Sequence, residues 1–194
     1  AQYDVRHVGI TFGGGGLCTA PRTLAGNIYA NFNMADGAPA PLEATADSTW
    51  DGNNVYSVLL TFNGGAVAHL VKKMHLIVDS SMESEAVATG KAGEIVTYAR
   101  EILRAIGVPP DGPTFVGTDN HANALIASGR ALPSRSRHCL RRYTSFLQRV
   151  RRGDVEIGHV PDPQNPSDYL TKWVSKEKTA MSVAFATNGS NAVA

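Results

Sequence analysis

The run Thr114-Phe115-Val116-Gly117-Thr118-Asp119-Asn120 joins a strand pattern to a helix pattern through an acid. Its first five residues are typical of a short buried strand, and Asp119-Asn120 open a helical segment that we expect to end near Ala127. In an open α/β sheet, ligands bind at the carboxyl ends of the central strands. Asp119 therefore stands where such a fold places a site, although an acid at this position also stabilises a helix as its N-cap.

Upstream of this run the sequence predicts an antiparallel meander and a long helix. Asn63-Gly64-Gly65 is a hairpin turn signal, because Asn and Gly adopt positive φ angles easily. The helix is expected over 81–106, where apolar residues recur at three- and four-residue steps. The strands are expected at 42–48, 55–62, 66–71 and 75–78.

Downstream, the same reading predicts a basic helix over 133–151, a strand over 156–160 and a helix over 165–174. The last helix is expected to turn Tyr169, Leu170 and Trp173 toward the core. Three strands followed by alternating helices and strands predict an α/β fold. We expect a mixed five-stranded sheet, with three antiparallel strands followed by parallel strands, and with helices on both faces.

Four acids lie at junctions of this kind. Asp47 ends the first strand, Glu85 opens the long helix, Asp119 follows the central strand and Asp168 begins the last helix. Four carboxylates from separate elements could bind two divalent metals about 3.5–4 Å apart, which clamp the attacking and leaving oxygens of a phosphodiester. The pattern indicates a nuclease, while an acid in a first helical turn also stabilises the helix dipole.

Glu83 competes with Glu85 for the second position of this set. Counting back along the apolar face of the helix from Ala92 through Ala88 reaches Glu85. Glu83 lies two residues earlier, about 200° around the helix at 3.6 residues per turn. We therefore expect Glu85 to face the sheet and Glu83 to be exposed.

Positive charge is concentrated in one segment. The chain has a net charge of only +1, yet residues 120–153 contain no Asp or Glu. Eight arginines lie in that stretch, at positions 130, 135, 137, 141, 142, 149, 151 and 152. A helix this basic favours a polyanion surface over an ordinary solvated face. The candidate nucleic-acid contacts are Arg135, Arg137, His138, Arg141, Arg142 and Arg149.

Length and composition bound the other possibilities. The 194 residues fit one domain with appendages, and 43% apolar content can build a core. No apolar stretch approaches about 18 residues, so no membrane span is expected. The first residues show no signal peptide and no Met, which indicates a fragment of a longer protein. We expect poorly committed short strands over 1–41, the domain over 42–175 and a disordered tail over 176–194.

Five ordered motifs resemble one known family. The chain is similar to the ribonuclease H domain of copia-type LTR retrotransposon polyproteins over roughly residues 5 to 174. The motifs are His7-Val8-Gly9-Ile10-Thr11-Phe12, Thr45-Ala46-Asp47-Ser48-Thr49-Trp50, Asp79 through Glu85, Gly117-Thr118-Asp119-Asn120 and Val160 through Lys172, with the basic segment from Ser134 to Leu147 between the last two.

The resemblance implies a ribonuclease H-like fold and cleavage of the RNA strand of RNA–DNA hybrids. It matches Asp47, Glu85, Asp119 and Asp168 to the family's metal-binding acids, with two Mg²⁺ ions, or Mn²⁺ in their place. It also implies that residues 1–41 are a linker after a covalently linked polymerase domain, and that the protein resides in cytoplasmic virus-like particles or in the nucleus. The alternatives are a catalytically silent module of the same fold and an integrase-like strand transferase.

Overall fold

A computed structural model describes residues 42–52, 54–62, 65–75, 77–132 and 140–186. Its strands are β1 (Leu42–Ser48), β2 (Val55–Phe62), β3 (Gly65–Lys73), β4 (Thr114–Thr118) and β5 (Val155–His159). Its helices are α1 (Ser81–Ala105), α2 (His121–Ala127), α3 (Leu140–Arg151), α4 (Asp168–Thr171) and α5 (Lys176–Ala186), with a short 3-10 turn at Asp162–Gln164.

The strands form one mixed sheet in the order β3-β2-β1-β4-β5. The pairs β1–β2 and β2–β3 are antiparallel, whereas β1–β4 and β4–β5 are parallel. The predicted fold class is therefore confirmed. Because β1, β4 and β5 run in the same direction, their carboxyl ends meet at one edge of the sheet.

Helix α1 packs its small residues on one face of the sheet. Ser80 caps it by accepting a hydrogen bond from the Glu83 N–H at 3.2 Å. Ala88 and Ala92 have no exposed surface, which lets the helix approach the strands closely. Gly93 does the same for the neighbouring helix α3, because a Cβ atom there would lie 2.8 Å from Phe146 Cδ2. The result is a tight α1–α3 pair over the sheet.

The opposite face of the sheet is covered by α5. Neighbouring residues of a strand point to opposite faces, so Leu59 lies on the far side from Val58 and Leu60. Leu59 packs there with Phe185 and Ala186 of α5. Helices therefore cover both faces.

The tail prediction was wrong for residues 176–186, which form helix α5 rather than a disordered segment. Its sequence is rich in Ala and Lys, and it has few large apolar side chains with which to mark a helical face. Burial of Phe185 against the sheet stabilises the helix, and this tertiary contact leaves no local sequence pattern. Residues 187–194 lie outside the described part of the chain.

Other element boundaries in the structure also differ from the predicted ones. The described residues between 74 and 78 form no strand, and the last predicted helix contracts to Asp168–Thr171. Trp173 is 85% exposed instead of packed in the core. The basic helix is described from Leu140 onward, and the predictions for 1–41 and 133–139 concern residues outside the described ranges. In the described part of the chain, no helix is both long and apolar enough to span a membrane.

Candidate active site

Three carboxylates meet at the carboxyl edge of the central strands. Asp47 lies near the end of β1, Asp119 directly follows β4 and Asp168 begins α4. The parallel register that pairs Ala46 with Thr118 places the first two acids side by side. Each of the three residues offers one carboxylate oxygen, and these atoms all lie within 4.8 Å of one another. We call Asp47, Asp119 and Asp168 the acid cluster.

Glu85 lies beside the acid cluster, as the fifth residue of α1. Ser48 Oγ donates a hydrogen bond to Glu85 Oε1 at 2.6 Å, and Thr118 Oγ1 donates to Oε2 at 3.3 Å. Glu85 therefore points toward the sheet, as the helical spacing predicted. It is adjacent to the three clustered acids without belonging to the group whose oxygens converge.

The expectation that Glu83 is exposed was wrong, because its side chain is buried as deeply as that of Glu85, with 6% of each residue exposed. Glu83 Oε1 lies 2.8 Å from both Nη2 and Nε of Arg142, and its Oε2 accepts the Asp79 N–H at 3.0 Å. The arginine comes from α3, which packs beside the start of α1. Spacing along one helix does not reveal a partner on another helix.

The electrostatics of the acid cluster oppose full ionisation. Burial raises the pKa of Asp47 to about 8, with the carboxylates of Asp119 and Asp168 adding to the rise. Burial also raises the pKa of Glu85 to about 7, against the opposing hydrogen bond from Ser48. The pKa values of Asp119 and Asp168 are raised by burial too. A bound cation would relieve this strain by stabilising the charged forms.

Two lysines already supply part of that positive charge. Lys172 Nζ lies 3.1 Å from Asp168 Oδ1, and Lys178 of α5 donates to Asp168 Oδ2. Burial lowers the pKa of Lys172, but the carboxylates of Asp47 and Asp168 outweigh this effect and raise it. Neither lysine was a predicted site residue. The sequence signals for Lys172 were its place four residues after Asp168 and at the end of the last family motif, whereas Lys178 lay in the predicted disordered tail.

The donor atoms of the site suit a hard divalent cation. Carboxylate oxygens are the ligands that Mg²⁺ prefers, usually one or two of them with water or phosphate in the remaining positions. Asp168 Oδ1 is buried and accepts no hydrogen bond from the described residues, despite the nearby lysine. Asp47 Oδ2 is held by a hydrogen bond from Thr171 Oγ1. The residues present therefore fit a divalent metal ion.

The predicted nucleic-acid contacts divide into three groups. Arg135, Arg137 and His138 lie outside the described residues. Arg142 is committed to Glu83, and Arg149 ties α3 to α1 because its Nε donates to Thr97 Oγ1 at 2.9 Å. Arg141 is exposed and lines, with Lys91 and Arg142, an open groove of about 500 Å³ between α1 and α3.

The curated proteins that the chain resembles are transposon polyproteins. No protein-family model matches it. It is 24% identical over 162 residues to the retrovirus-related Pol polyprotein from transposon RE2 of Arabidopsis thaliana, covering 80% of this chain and 11% of that protein. The corresponding polyprotein from transposon TNT 1-94 of Nicotiana tabacum is 24% identical over 120 residues, covering 62% of this chain and 9% of that protein. The chain thus spans about a tenth of the length of the curated relatives it matches.

Solved structures identify the fold. The structure of LC11-RNase H1, isolated from compost by a metagenomic approach, superposes with a TM-score of 0.55 at 14% identity. The match covers 67% of this chain and 91% of the compost protein. At this identity the likeness concerns the fold alone. The chain is therefore a homologue of copia-type retrotransposon Pol polyproteins with a ribonuclease H fold, which confirms the resemblance drawn from its motifs.

Proposed function

We propose that this chain is a metal-dependent endoribonuclease that hydrolyses the RNA strand of RNA–DNA hybrids. The observation that carries the proposal is the convergence of Asp47, Asp119 and Asp168 at the carboxyl edge of a ribonuclease H-type sheet. The Pol homology supports the same activity, as part of a reverse transcriptase with a covalently linked polymerase domain. Cytoplasmic virus-like particles are the location that such a polyprotein implies.

The acids would divide the work of holding Mg²⁺, or Mn²⁺ in its place. Asp47 is central to the acid cluster, since both Asp119 and Asp168 raise its pKa electrostatically. Glu85 approaches from α1 with both oxygens already oriented by hydroxyl donors. When bound, two metals at such a site supply an acidified water and a positive charge beside the leaving oxygen.

The basic surface would position the substrate rather than read its sequence. Arg141 of α3 lines the groove beside α1, where it would contact a phosphate of a strand bound there. Contacts to phosphates fix register without selecting bases. Selection of RNA over DNA in the cleaved strand would rest on the 2′-hydroxyl groups in the minor groove.

One assay tests the proposal directly. An RNA–DNA hybrid with an end-labelled RNA strand is incubated with the chain, with Mg²⁺ or with EDTA, beside an Asp119→Asn variant. We expect internal cleavage of the RNA only with Mg²⁺ and only with the unsubstituted protein. Duplex RNA and duplex DNA serve as substrate controls.

The two alternative functions, a catalytically silent module and a strand transferase, predict different outcomes in the same assay. Binding of the hybrid without Mg²⁺-dependent cleavage would indicate a silent module of the same fold. Cleavage or joining of duplex DNA in preference to the hybrid would indicate an integrase-like strand transferase. Either result contradicts the proposed ribonuclease.

A further inference from the structure

We propose that Thr118, Asn123 and Tyr143 form a hydrogen-bond chain that positions Glu85 for metal binding and links it to the basic helix α3. The inference rests on the proposed function insofar as Glu85 is taken as a metal ligand. It assigns a positioning role to residues that are not themselves metal ligands.

The hydrogen-bond chain from Tyr143 to Glu85 is continuous and buried. Tyr143 Oη donates to Asn123 Oδ1 at 2.8 Å, Asn123 Nδ2 donates to Thr118 Oγ1 at 3.1 Å, and Thr118 Oγ1 donates to Glu85 Oε2 at 3.3 Å. Asn123 and Thr118 have no exposed surface, and Tyr143 is 1% exposed. Burial strengthens each bond, because no water competes for the donors and acceptors.

The donors all point the same way, toward the carboxylate. An amide oxygen only accepts, so Tyr143 donates its hydroxyl proton to Asn123. The amide nitrogen only donates, so the Thr118 oxygen accepts from Asn123 and its single proton remains for Glu85. With Ser48 bonded to the other oxygen, both oxygens of Glu85 have a hydroxyl donor. This arrangement favours one rotamer and the ionised form of Glu85, which is the form that binds a metal.

The hydrogen-bond chain also connects Glu85 to helix α3, which carries the candidate nucleic-acid contacts. Tyr143 lies on α3, next in sequence to Arg141 and Arg142. A change in the seating of α3 would therefore alter the support of Glu85 through Asn123. Groups that orient metal ligands in this way are worth about 10–100-fold in metal affinity or activity.

A branch in the network provides a matched control. The second proton of Asn123 Nδ2 goes to Thr89 Oγ1 at 2.8 Å, and Thr89 is as fully buried as Thr118. Replacing either threonine with Val removes one hydroxyl bonded to the same amide group at nearly constant volume. Both variants leave an Asn123 amide proton without its acceptor. Thr118→Val also removes the weak acceptor of the Asn120 N–H at 3.4 Å, and only Thr118 continues to Glu85.

The experiment measures Mg²⁺ binding to the whole chain by calorimetry, together with kcat and KM on the labelled hybrid. We expect Thr118→Val to raise the Mg²⁺ dissociation constant about tenfold and to lower kcat with KM little changed. Thr89→Val should bind Mg²⁺ within about twofold of the unsubstituted chain, at a similar loss of thermal stability. Tyr143→Phe, which removes the first donor, should act in the same direction as Thr118→Val and more weakly.

Thr118→Ser retains the hydroxyl and should restore Mg²⁺ affinity, which guards against a Val variant that folds poorly. Equal Mg²⁺ affinities for Thr118→Val and Thr89→Val would overturn the inference, while hybrid cleavage by the unsubstituted chain would still support the proposed function. Conversely, a selective loss of Mg²⁺ affinity in Thr118→Val, in a chain that cleaves no hybrid, would support the inference and contradict the proposed function.

Discussion

Glu83 and Glu85 lie in the same turn of α1 and are equally buried, yet their surroundings differ in kind. Glu83 is matched by the guanidinium of Arg142 across the α1–α3 seam. Glu85 has two hydroxyl donors and the nearby Asp119, which adds to its raised pKa. A buried carboxylate matched by one arginine contributes to the structure. The crowded carboxylates of the acid cluster favour a cation from solution even though two lysines contact Asp168.

The largest effect expected from this comparison is at Asp119. Asp119→Asn is nearly isosteric and removes one carboxylate from the acid cluster. We expect kcat/KM for hybrid cleavage to fall by about three orders of magnitude, which corresponds to about 4 kcal/mol of transition-state stabilisation. Mg²⁺ should also raise the melting temperature of the unsubstituted chain and lose most of this effect in the variant. Cleavage at the unsubstituted rate would remove Asp119 from the site.

Substituting Glu83 and Glu85 in turn distinguishes the structural role of one from the metal-binding role proposed for the other. Glu85→Gln should abolish most cleavage while the fold is retained. Glu83→Gln should preserve cleavage and lower the free energy of unfolding by about 1–2 kcal/mol, because it leaves the half-buried Arg142 without its ionic partner. This loss exceeds what a helix-dipole role for an exposed Glu83 would give.

Denaturant unfolding and the hybrid assay, run on both variants, provide the test. The opposite pattern, with cleavage lost in Glu83→Gln and kept in Glu85→Gln, would show that Glu83, and not Glu85, belongs to the metal site.

The pH dependence should differ between metal-free and metal-bound protein. Asp47 and Glu85 have folded-state pKa values of about 8 and about 7, above their ordinary values of 3.8 and 4.5. At a pH between the ordinary and the raised pKa of each group, the folded state binds more protons than the unfolded state. The free energy of unfolding of the metal-free chain therefore falls as pH rises through this range. Mg²⁺ binds the ionised carboxylates and compensates for this loss.

Thermal melts therefore should show a larger Mg²⁺-induced increase in melting temperature near pH 8 than near pH 6, in line with the raised pKa of Asp47 to about 8. EDTA-treated protein is the control for each pH. An increase of constant size across this range would show that the acids are already ionised in the metal-free chain.

The smallest expected effect concerns the basic surface. Because Arg142 is bound to Glu83, Arg141 is the better candidate for a phosphate contact. Arg141→Gln should weaken hybrid binding equally across sequences. It should also reduce the magnitude of the salt slope, the slope of the logarithm of the binding constant against the logarithm of salt concentration, by about one unit. Arg104→Gln, at the far end of α1, is the control and should leave the slope unchanged. A salt slope unaltered in Arg141→Gln would make that arginine ordinary solvated surface.

Much of the fold could be predicted because its strands carry local signals. The bounds of β1, β2 and β4 agree with the prediction, since short apolar runs end at turn residues or acids. The order of the predicted strands and helices then predicted the fold class. The adjacency of Asp47, Asp119 and Asp168 was predicted through the resemblance, while their role as metal ligands stays a prediction together with that of Glu85.

The features that were missed depend on contacts between distant elements. Lys178 reaches Asp168 from a helix whose stability comes from Phe185 on the sheet. Glu83 meets an arginine 59 residues away, and Asn123 meets Thr89 at a separation of 34 residues. Such pairs leave no periodicity within one segment, so a single sequence does not reveal them.

The hydrogen bond from Thr171 to Asp47 joins residues 124 positions apart, and this has a consequence for synthesis. A chain leaves the ribosome from its N-terminus, so β1 and its Asp47 emerge long before α4. During that interval the meander and α1 can form, while the last carboxylate and the lysines that balance it are still missing. A nascent or prematurely terminated chain that ends before α4 would therefore lack Asp168, and the proposed nuclease activity would begin only after α4 has joined the site.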